Sequence, residues 1–309
     1  MEQRVVTVIG GTGFVGRYVV KLLAMAGYTI RVIARRPDLA RALKTSGNVG
    51  QIVLMSGNIA EPESLRGKIE DSYAVINLTG LMFESGKQSF FNVHERGAEK
   101  LAQMAKAAGV KHFIHMSALG VDKAHNSTYA RSKLLGEKAV FAAFPEATIL
   151  RPSVIFGPED RFFNQFAAMA SLSPALPLLG GGHTKFQPVY VGDVASAIAA
   201  CITRPNTSGQ IYELGGPHIF TFREILEYIM LVTGKQRRLI PIPLSMASLA
   251  SFGFELLPQP PLTRDQVELL KYDNVVNAGA KTFGDLGINP TAVDVVVPES
   301  LSRFHKKAA

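Results

Sequence analysis

At 309 residues and 47% hydrophobic content, the chain is long enough for one large domain, or for a nucleotide domain with a smaller companion, around a sizeable core. Its net charge of +8 comes from scattered Lys and Arg residues, with no block of five or six and no aromatic interleaving, which argues against a nucleic-acid partner. No run of 18 uncharged apolar residues occurs, the first apolar run begins too early to leave room for a signal or transit peptide, and the single Cys201 permits neither an internal disulfide nor a zinc set. A reducing, cytoplasmic setting is expected.

Residues 5–16, VVTVIGGTGFVG, carry the strongest local signal in the chain. Five mostly β-branched residues read as a buried parallel strand, and Gly10, Gly13 and Gly16 punctuate a turn into the helical pattern VGRYVVKLLAMAG. Gly10 permits the turn, Gly13 lets the backbone approach a pyrophosphate, and Gly16 lets helix and strand pack closely. The loop from Thr12 through Phe14 and Val15 then offers free N–H groups to the phosphates.

Residues 29–34 (TIRVIA) make the second strand. No carboxylate stands at its carboxyl end to take a ribose 2′-hydroxyl. Arg35 and Arg36 follow instead, and a guanidinium there grips a 2′-phosphate, which favours NADP(H) over NAD(H). The bland reading of Arg36-Pro37 is a loop cap. A third strand, 51–55, ends at residues 56–59, where Asn58 can hydrogen-bond adenine beside Ile59. A fourth, 73–78, ends in Leu78, Thr79 and Gly80, small enough at Gly80 to admit a cofactor.

Asn92 opens a helix through residue 108 whose apolar spacing buries one side; helix capping and a cofactor or catalytic contact both stand for this residue. Residues 111–116 (KHFIHM) form a fifth strand, stopping at Ser117, beyond the carboxyl edge where substrates bind in open parallel sheets. His112 and His115, three apart on a strand, point to opposite faces and make no metal pair, so no metal site is expected. Tyr129-Ala-Arg-Ser-Lys133 then opens a helix to about residue 144, placing phenol and ammonium on one face. An adjacent ammonium is expected to lower the phenol toward working pH, with Ser117 holding a substrate oxygen, Tyr129 exchanging its proton and Lys133 holding the nicotinamide ribose. Ser127 and Thr128 are alternatives to Ser117.

The patterns GGTGFVG, YARSK and RPSVIFGPED resemble the extended short-chain dehydrogenase/reductase superfamily over nearly the whole chain. The resemblance implies an α/β Rossmann fold: a doubly wound parallel sheet with a smaller C-terminal α/β lobe. Residues 1–160 would be the NADP-binding domain and 161–309 the substrate or partner lobe, with residues near 192–215 returning to the main domain. It also implies that the segment from Arg151 to Ile155 passes the nicotinamide, with Pro152 and Val154 against it. RPSVIFGPEDRFFNQF and QPVYVGDVA are most similar to the atypical branch containing the dinucleotide-binding alpha-subcomplex subunit nine of respiratory complex I. That implies an NADP(H)-holding accessory protein, linked to the respiratory chain or quinone metabolism, with complex I or a quinone-biosynthesis assembly as partner. Intact Tyr129 and Lys133 keep a second reading open, a working NADP-dependent oxidoreductase or epimerase.

Beyond residue 160, the sequence predicts a helix over 163–171, a loop over 174–183, a strand over 187–191 with Asp193 capping the following helix, and a strand over 211–214 rejoining the main sheet. Gln187 and Tyr190 either line a cleft or pack. A helix over 221–233 precedes 244–257, LSMASLASFGFELL, uncharged until Glu255 and too short to cross a bilayer. It reads as a buried lid or as an apolar surface for a partner or a membrane, the latter placing the protein peripherally on the inner face of a bacterial inner membrane, with Arg237 and Arg238 suited to anionic headgroups. Residues 258–263 are a stiff connector to a helix over 264–271, and 298–307 a last short helix or solvated tail.

Overall fold

Short runs rich in β-branched residues suit strands covered on both faces, and the computed structural model, which describes residues 4–305, uses them so. The strands in chain order are β1 (Val5–Ile9), β2 (Thr29–Ala34), β3 (Ile52–Ser56), β4 (Ser72–Asn77), β5 (His112–Met116), β6 (Thr148–Pro152), β7 (Ile155–Phe156), β8 (Ala175–Leu179), β9 (Lys185–Phe186), β10 (Val189–Tyr190), β11 (Ile211–Leu214), β12 (Phe220–Thr221) and β13 (Arg238–Ile242). The main sheet has the order β11-β6-β5-β4-β1-β2-β3, every pairing parallel. Growth of the sheet reverses between β1 and β4, so the carboxyl ends of those two strands open a crevice.

The helices are α1 (Phe14–Met25), α2 (Gly97–Ala107), α3 (Thr128–Ala143), α4 (Phe162–Leu172), α5 (Val191–Thr203), α6 (Phe222–Thr233), α7 (Leu244–Phe254), α8 (Arg264–Leu269) and α9 (Val293–Ser300). Val19, Val20 and Leu23 of α1 join Val194, Ile198 and Cys201 of α5 over one face of the sheet. Leu101, Ala102 and Ala105 of α2 join Val140 of α3 over the other. The sheet is doubly wound. Burial pushes the Cys201 thiol up to about 12, so it acts as a small core residue. A third apolar cluster, centred on Phe156, Phe163, Phe222 and Ile229, forms the lobe under α4, α6 and α9. Helix α5 packs on the main sheet and β11 joins its edge, pairing parallel with β6.

Several local expectations give way. The stretch expected as a loop contains β8, which pairs with β13 in register Arg238↔Ala175. The strand expected over 187–191 shortens to β10, which begins after Pro188, a residue with no N–H to donate, and pairs parallel with β7; the separate β9 just before it pairs antiparallel with β12. Asp193 lies inside α5 rather than capping it, and accepts from the Thr291 amide (2.6 Å) and hydroxyl (3.0 Å). Asn92 sits in a π-helical turn, Phe91–Arg96, that feeds α2, and its side chain donates to the Lys87 carbonyl (3.1 Å). The last helix starts earlier than expected, at Val293, and carries Pro298 inside it; Lys306 and Lys307 lie outside the described residues. Among the described residues, no helix is long and apolar enough to cross a membrane.

Candidate active site

The loop after β1 is shaped by contacts that a side chain would break. Gly10 has φ +79°, and a Cβ there would lie 3.3 Å from the Leu78 and Thr79 backbone. At Gly16 a Cβ would press to 2.5 Å on the Gly10 carbonyl and Gly11 Cα, so this buried glycine sets the approach of α1 to β1. Gly13 differs: its Cβ would meet only the Gly10 carbonyl, at 3.2 Å, and the residue faces outward. Gly13 is also the residue that begins α1, where no side chain caps the helix and no acidic residue occupies the first turn. The orphan amides and positive end of the helix dipole suit a diphosphate.

A cleft of about 220 Å³ opens above this loop. Gly10, Thr12, Gly13, Arg35, Asn58, Ile59, Leu78, Thr79 and Gly80 line it, all of them candidates on sequence grounds. Arg35 is exposed at the end of β2. Arg36 is absent from the lining and leads into the 3₁₀ turn Pro37–Ser46, in keeping with a loop cap. Asn58 Oδ1 accepts from the Ala60 amide and Gln88 Nε2, both at 3.2 Å, so what it has left for a base is its amide N–H. Leu81, Gln88 and Val93 also line the cleft; no motif in the sequence marks them. Phe14 turns instead toward Gly157, where an added Cβ would sit 3.2 Å from its ring, and Val15 packs on the core.

Tyr129 and Lys133 ride on the first turns of α3, whose start is firmly held. Ser127 caps it by accepting from the Ala130 amide (3.0 Å) and donates its own hydroxyl proton to Asp265 (2.8 Å). Asp265, reaching across from α8, also accepts from the Thr128 and Tyr129 amides at 2.6 and 3.0 Å. Ser127 is therefore spent on the helix and does not stand in for Ser117, while Thr128 is exposed. Lys133 is buried, with Nζ donating to the Met116 carbonyl (3.1 Å) and reaching the Thr79 carbonyl at 3.5 Å, so it bridges the ends of β5 and β4. Burial brings its ammonium down to about 8, against the pull of Glu137. Ser117 is buried and its Oγ has no hydrogen-bond partner, an orphan that a substrate oxygen would satisfy.

The phenol corrects the sequence-based expectation. Burial, and secondarily the Asp265 carboxylate, push Tyr129 up to about 12. The resting phenol is a proton donor, the form a carbonyl reduction requires.

No spacing signal in the sequence marks His94, yet it is wired into the site. The Leu81 amide donates to its Nε2 (2.9 Å), which leaves the proton on Nδ1 to donate to Ser132 Oγ (2.9 Å); that hydroxyl in turn donates to the Tyr129 carbonyl (2.7 Å). Its ring stacks on Phe90 and stands edge-on to Tyr129, centroids 5.3 and 5.6 Å apart. Burial holds it neutral, its pKa lowered to about 2. Arg151 is likewise structural, forking onto Glu137 of α3 at 2.7 and 2.9 Å and reaching Asp122 at 2.8 Å. Pro152 is buried in β6, and the Val154 amide donates to Asn274 Oδ1 (3.2 Å). Among the described residues no cluster of His, Cys, Asp and Glu could hold a metal.

Residues 6–215, which carry the glycine turn, α3 and all of the main sheet but Val5, match the model of the NAD dependent epimerase/dehydratase family. The chain belongs to that family. Within it, the relatives include the mitochondrial NADH dehydrogenase [ubiquinone] 1 alpha subcomplex subunit 9 of Arabidopsis thaliana, 38% identical over 98% of this chain and 78% of the relative. The Mus musculus protein of the same name is 36% identical over 97% of this chain and 80% of the relative. A ceramide reductase of Caulobacter vibrioides is 32% identical over 77% of this chain and 74% of the relative. Among solved structures, DesIV, a dTDP-glucose 4,6-dehydratase from Streptomyces venezuelae with NAD and TYD bound, superposes with TM-score 0.74 at 19% identity, covering 97% of this chain and 96% of that one. This epimerase/dehydratase-family chain thus has the fold expected from its sequence.

Proposed function

We propose that the chain holds NADP(H) in the cleft above the glycine loop and works as an accessory subunit of a membrane-associated respiratory assembly of the complex I type. One observation carries the assembly reading. The family model ends at residue 215, whereas similarity to the subunit-9 relatives runs over nearly the whole chain and so includes the lobe that bears the apolar helix α7. The phosphorylated coenzyme is favoured by Arg35 on the lining, with no carboxylate at the end of β2 to take a ribose hydroxyl. The residues fit such a cofactor: the uncapped start of α1 would meet the diphosphate, Asn58 the base and Lys133 the nicotinamide ribose. Peripheral contact with the inner face of a bacterial inner membrane through 244–257 belongs to the same proposal. Native purification from membrane and cytosolic fractions, with identification of the bound nucleotide and of copurifying proteins, tests it. NADPH and respiratory subunits in the membrane fraction are expected, and a monomer confined to the cytosol would refute it.

A second reading, an NADP-dependent reductase, is favoured by one observation: the buried, unpartnered Ser117 hydroxyl in a site that also keeps Tyr129 protonated and Lys133 in place. Bound coenzyme would supply hydride; Ser117 would hold the carbonyl oxygen and Tyr129 would protonate it. Tyr129→Phe should abolish turnover and leave cofactor affinity intact, and equal activity in the variant would end this reading.

A further inference from the structure

We propose that Asp265 is a positioning residue that couples two events, docking of α7 on an anionic bilayer surface and cofactor binding against α3. The inference rests on the membrane-associated, cofactor-holding function proposed for the chain and goes beyond it.

Helix α7 is built the wrong way round for a water-facing element. Its eleven residues carry no charge and bury only Ala247 and Ser251, while Met246, Leu249 and Phe252 are 62%, 77% and 59% exposed. Helices apolar on all sides are normally covered. The charges flanking it point to the cover. From Lys235 to Arg264 the chain carries Lys235, Arg237, Arg238 and Arg264 against the lone carboxylate Glu255. That carboxylate is neutralised by Arg264, whose amide and Nε donate to it at 2.8 and 2.9 Å. Cations that precede and follow an uncharged apolar helix in sequence, Arg238 and Arg264 among them exposed, match anionic headgroups above acyl chains, while Arg237 is held by the Ala170 carbonyl at 2.7 Å; α7 is too short to do more than lie in that interface.

The same Arg264 fastens α7 to α8, its guanidinium standing 5.2 Å over the Phe252 ring. The next residue is Asp265, whose carboxylate takes the Ser127 hydroxyl and the Thr128 and Tyr129 amides, the opening donors of the helix that carries Tyr129 and Lys133. Below it, Leu269 and Tyr272 pack against a small cluster of Val121, Ala124 and Ala130. An apolar docking face and the nicotinamide end of the site are thus two ends of one mechanical unit, whose polar link to α3 is the Asp265 carboxylate above this apolar packing. Whichever event orders that unit first lowers the ordering cost of the other, and by linkage the two affinities must change by the same factor.

The test uses the full chain and vesicles of equal parts phosphatidylglycerol and phosphatidylcholine. NADPH affinity is measured by fluorescence with and without saturating vesicles, and vesicle partition by sedimentation with and without saturating NADPH. Both should strengthen by the same factor, about fivefold. Asp265→Asn should bring both factors to one while the variant still sediments with vesicles. Leu249→Glu, at a residue 77% exposed and outside the Arg264–Phe252 contact, should lose vesicle binding and keep the NADPH affinity seen in buffer. Vesicle binding with unchanged NADPH affinity, or coupling that survives Asp265→Asn, would overturn the proposal alone. Failure to bind anionic vesicles, or equal binding to pure phosphatidylcholine, would overturn the bilayer as the occupant of α7 and the coupling with it; failure to bind NADPH at all would bring down the underlying function too.

Discussion

Replacing Gly13 with alanine separates a binding role for the glycine loop from a folding role. The φ of −75° at this position is open to any residue, and the new methyl would meet only the Gly10 carbonyl, at 3.2 Å, which has to give by a few tenths of an ångström. Alanine is a poorer helix-starting residue than glycine, so the cost to stability should be about 0.5–1 kcal/mol. The methyl projects where the backbone is meant to approach the diphosphate, and NADPH affinity should fall at least about tenfold, or about 1.4 kcal/mol. Gly16→Ala is the contrasting case. Its methyl would press to 2.5 Å on the Gly10 carbonyl and Gly11 Cα, backbone atoms that cannot swing aside, and should cost about 1–3 kcal/mol of stability as well as binding. Denaturant titration and NADPH fluorescence titration on both variants give the two numbers. A Gly13→Ala protein that binds NADPH as tightly as the parent would refute the placement of the diphosphate.

Arg35→Ala should weaken NADPH far more than NADH, read by parallel titrations, whereas equal losses would remove the 2′-phosphate from Arg35. Arg151→Met leaves Glu137 buried and unpaired on α3, and should cost about 3–5 kcal/mol by equilibrium denaturation; a loss under about 1 kcal/mol would mean the ion pair does not anchor that helix. Burial lowers His94 and His115 from 6.5 to about 2 and about 3, so between those values and 6.5 the unfolded chain binds protons that the native protein does not. Stability is then lost as pH falls below about 6.5, by about 1 kcal/mol per histidine between pH 7 and 5.5. Denaturation at the two pH values checks this, and the loss should shrink in His115→Gln.

Most of the main sheet is legible in the sequence because its strands are short, largely apolar runs between turn residues, and the cofactor loop because its glycines stand between a strand and a helix. Arg35, Asn58, Thr79 and Gly80 follow from where strands end in an open parallel sheet. The features that stay hidden depend on partners distant in sequence. Asp265 touches α3 from 136 residues away, and the Leu81–His94–Ser132 chain joins three elements that no periodicity relates. The direction of the phenol's shift is hidden for the same reason, since spacing sets Lys133 one turn from Tyr129 but shows neither the burial of the ring nor the Asp265 carboxylate that raise it. Pairing of β8 with β13 is masked by the prolines Pro177 and Pro241, which occur in strands that form a separate two-stranded sheet.

Isothermal titration calorimetry of the purified full chain with NADPH, and then with NADH, tests the central claim most directly. One equivalent of NADPH should bind, with NADH weaker and the difference removed by Arg35→Ala. No heat of binding with either nucleotide, from protein shown to be folded, would contradict the account.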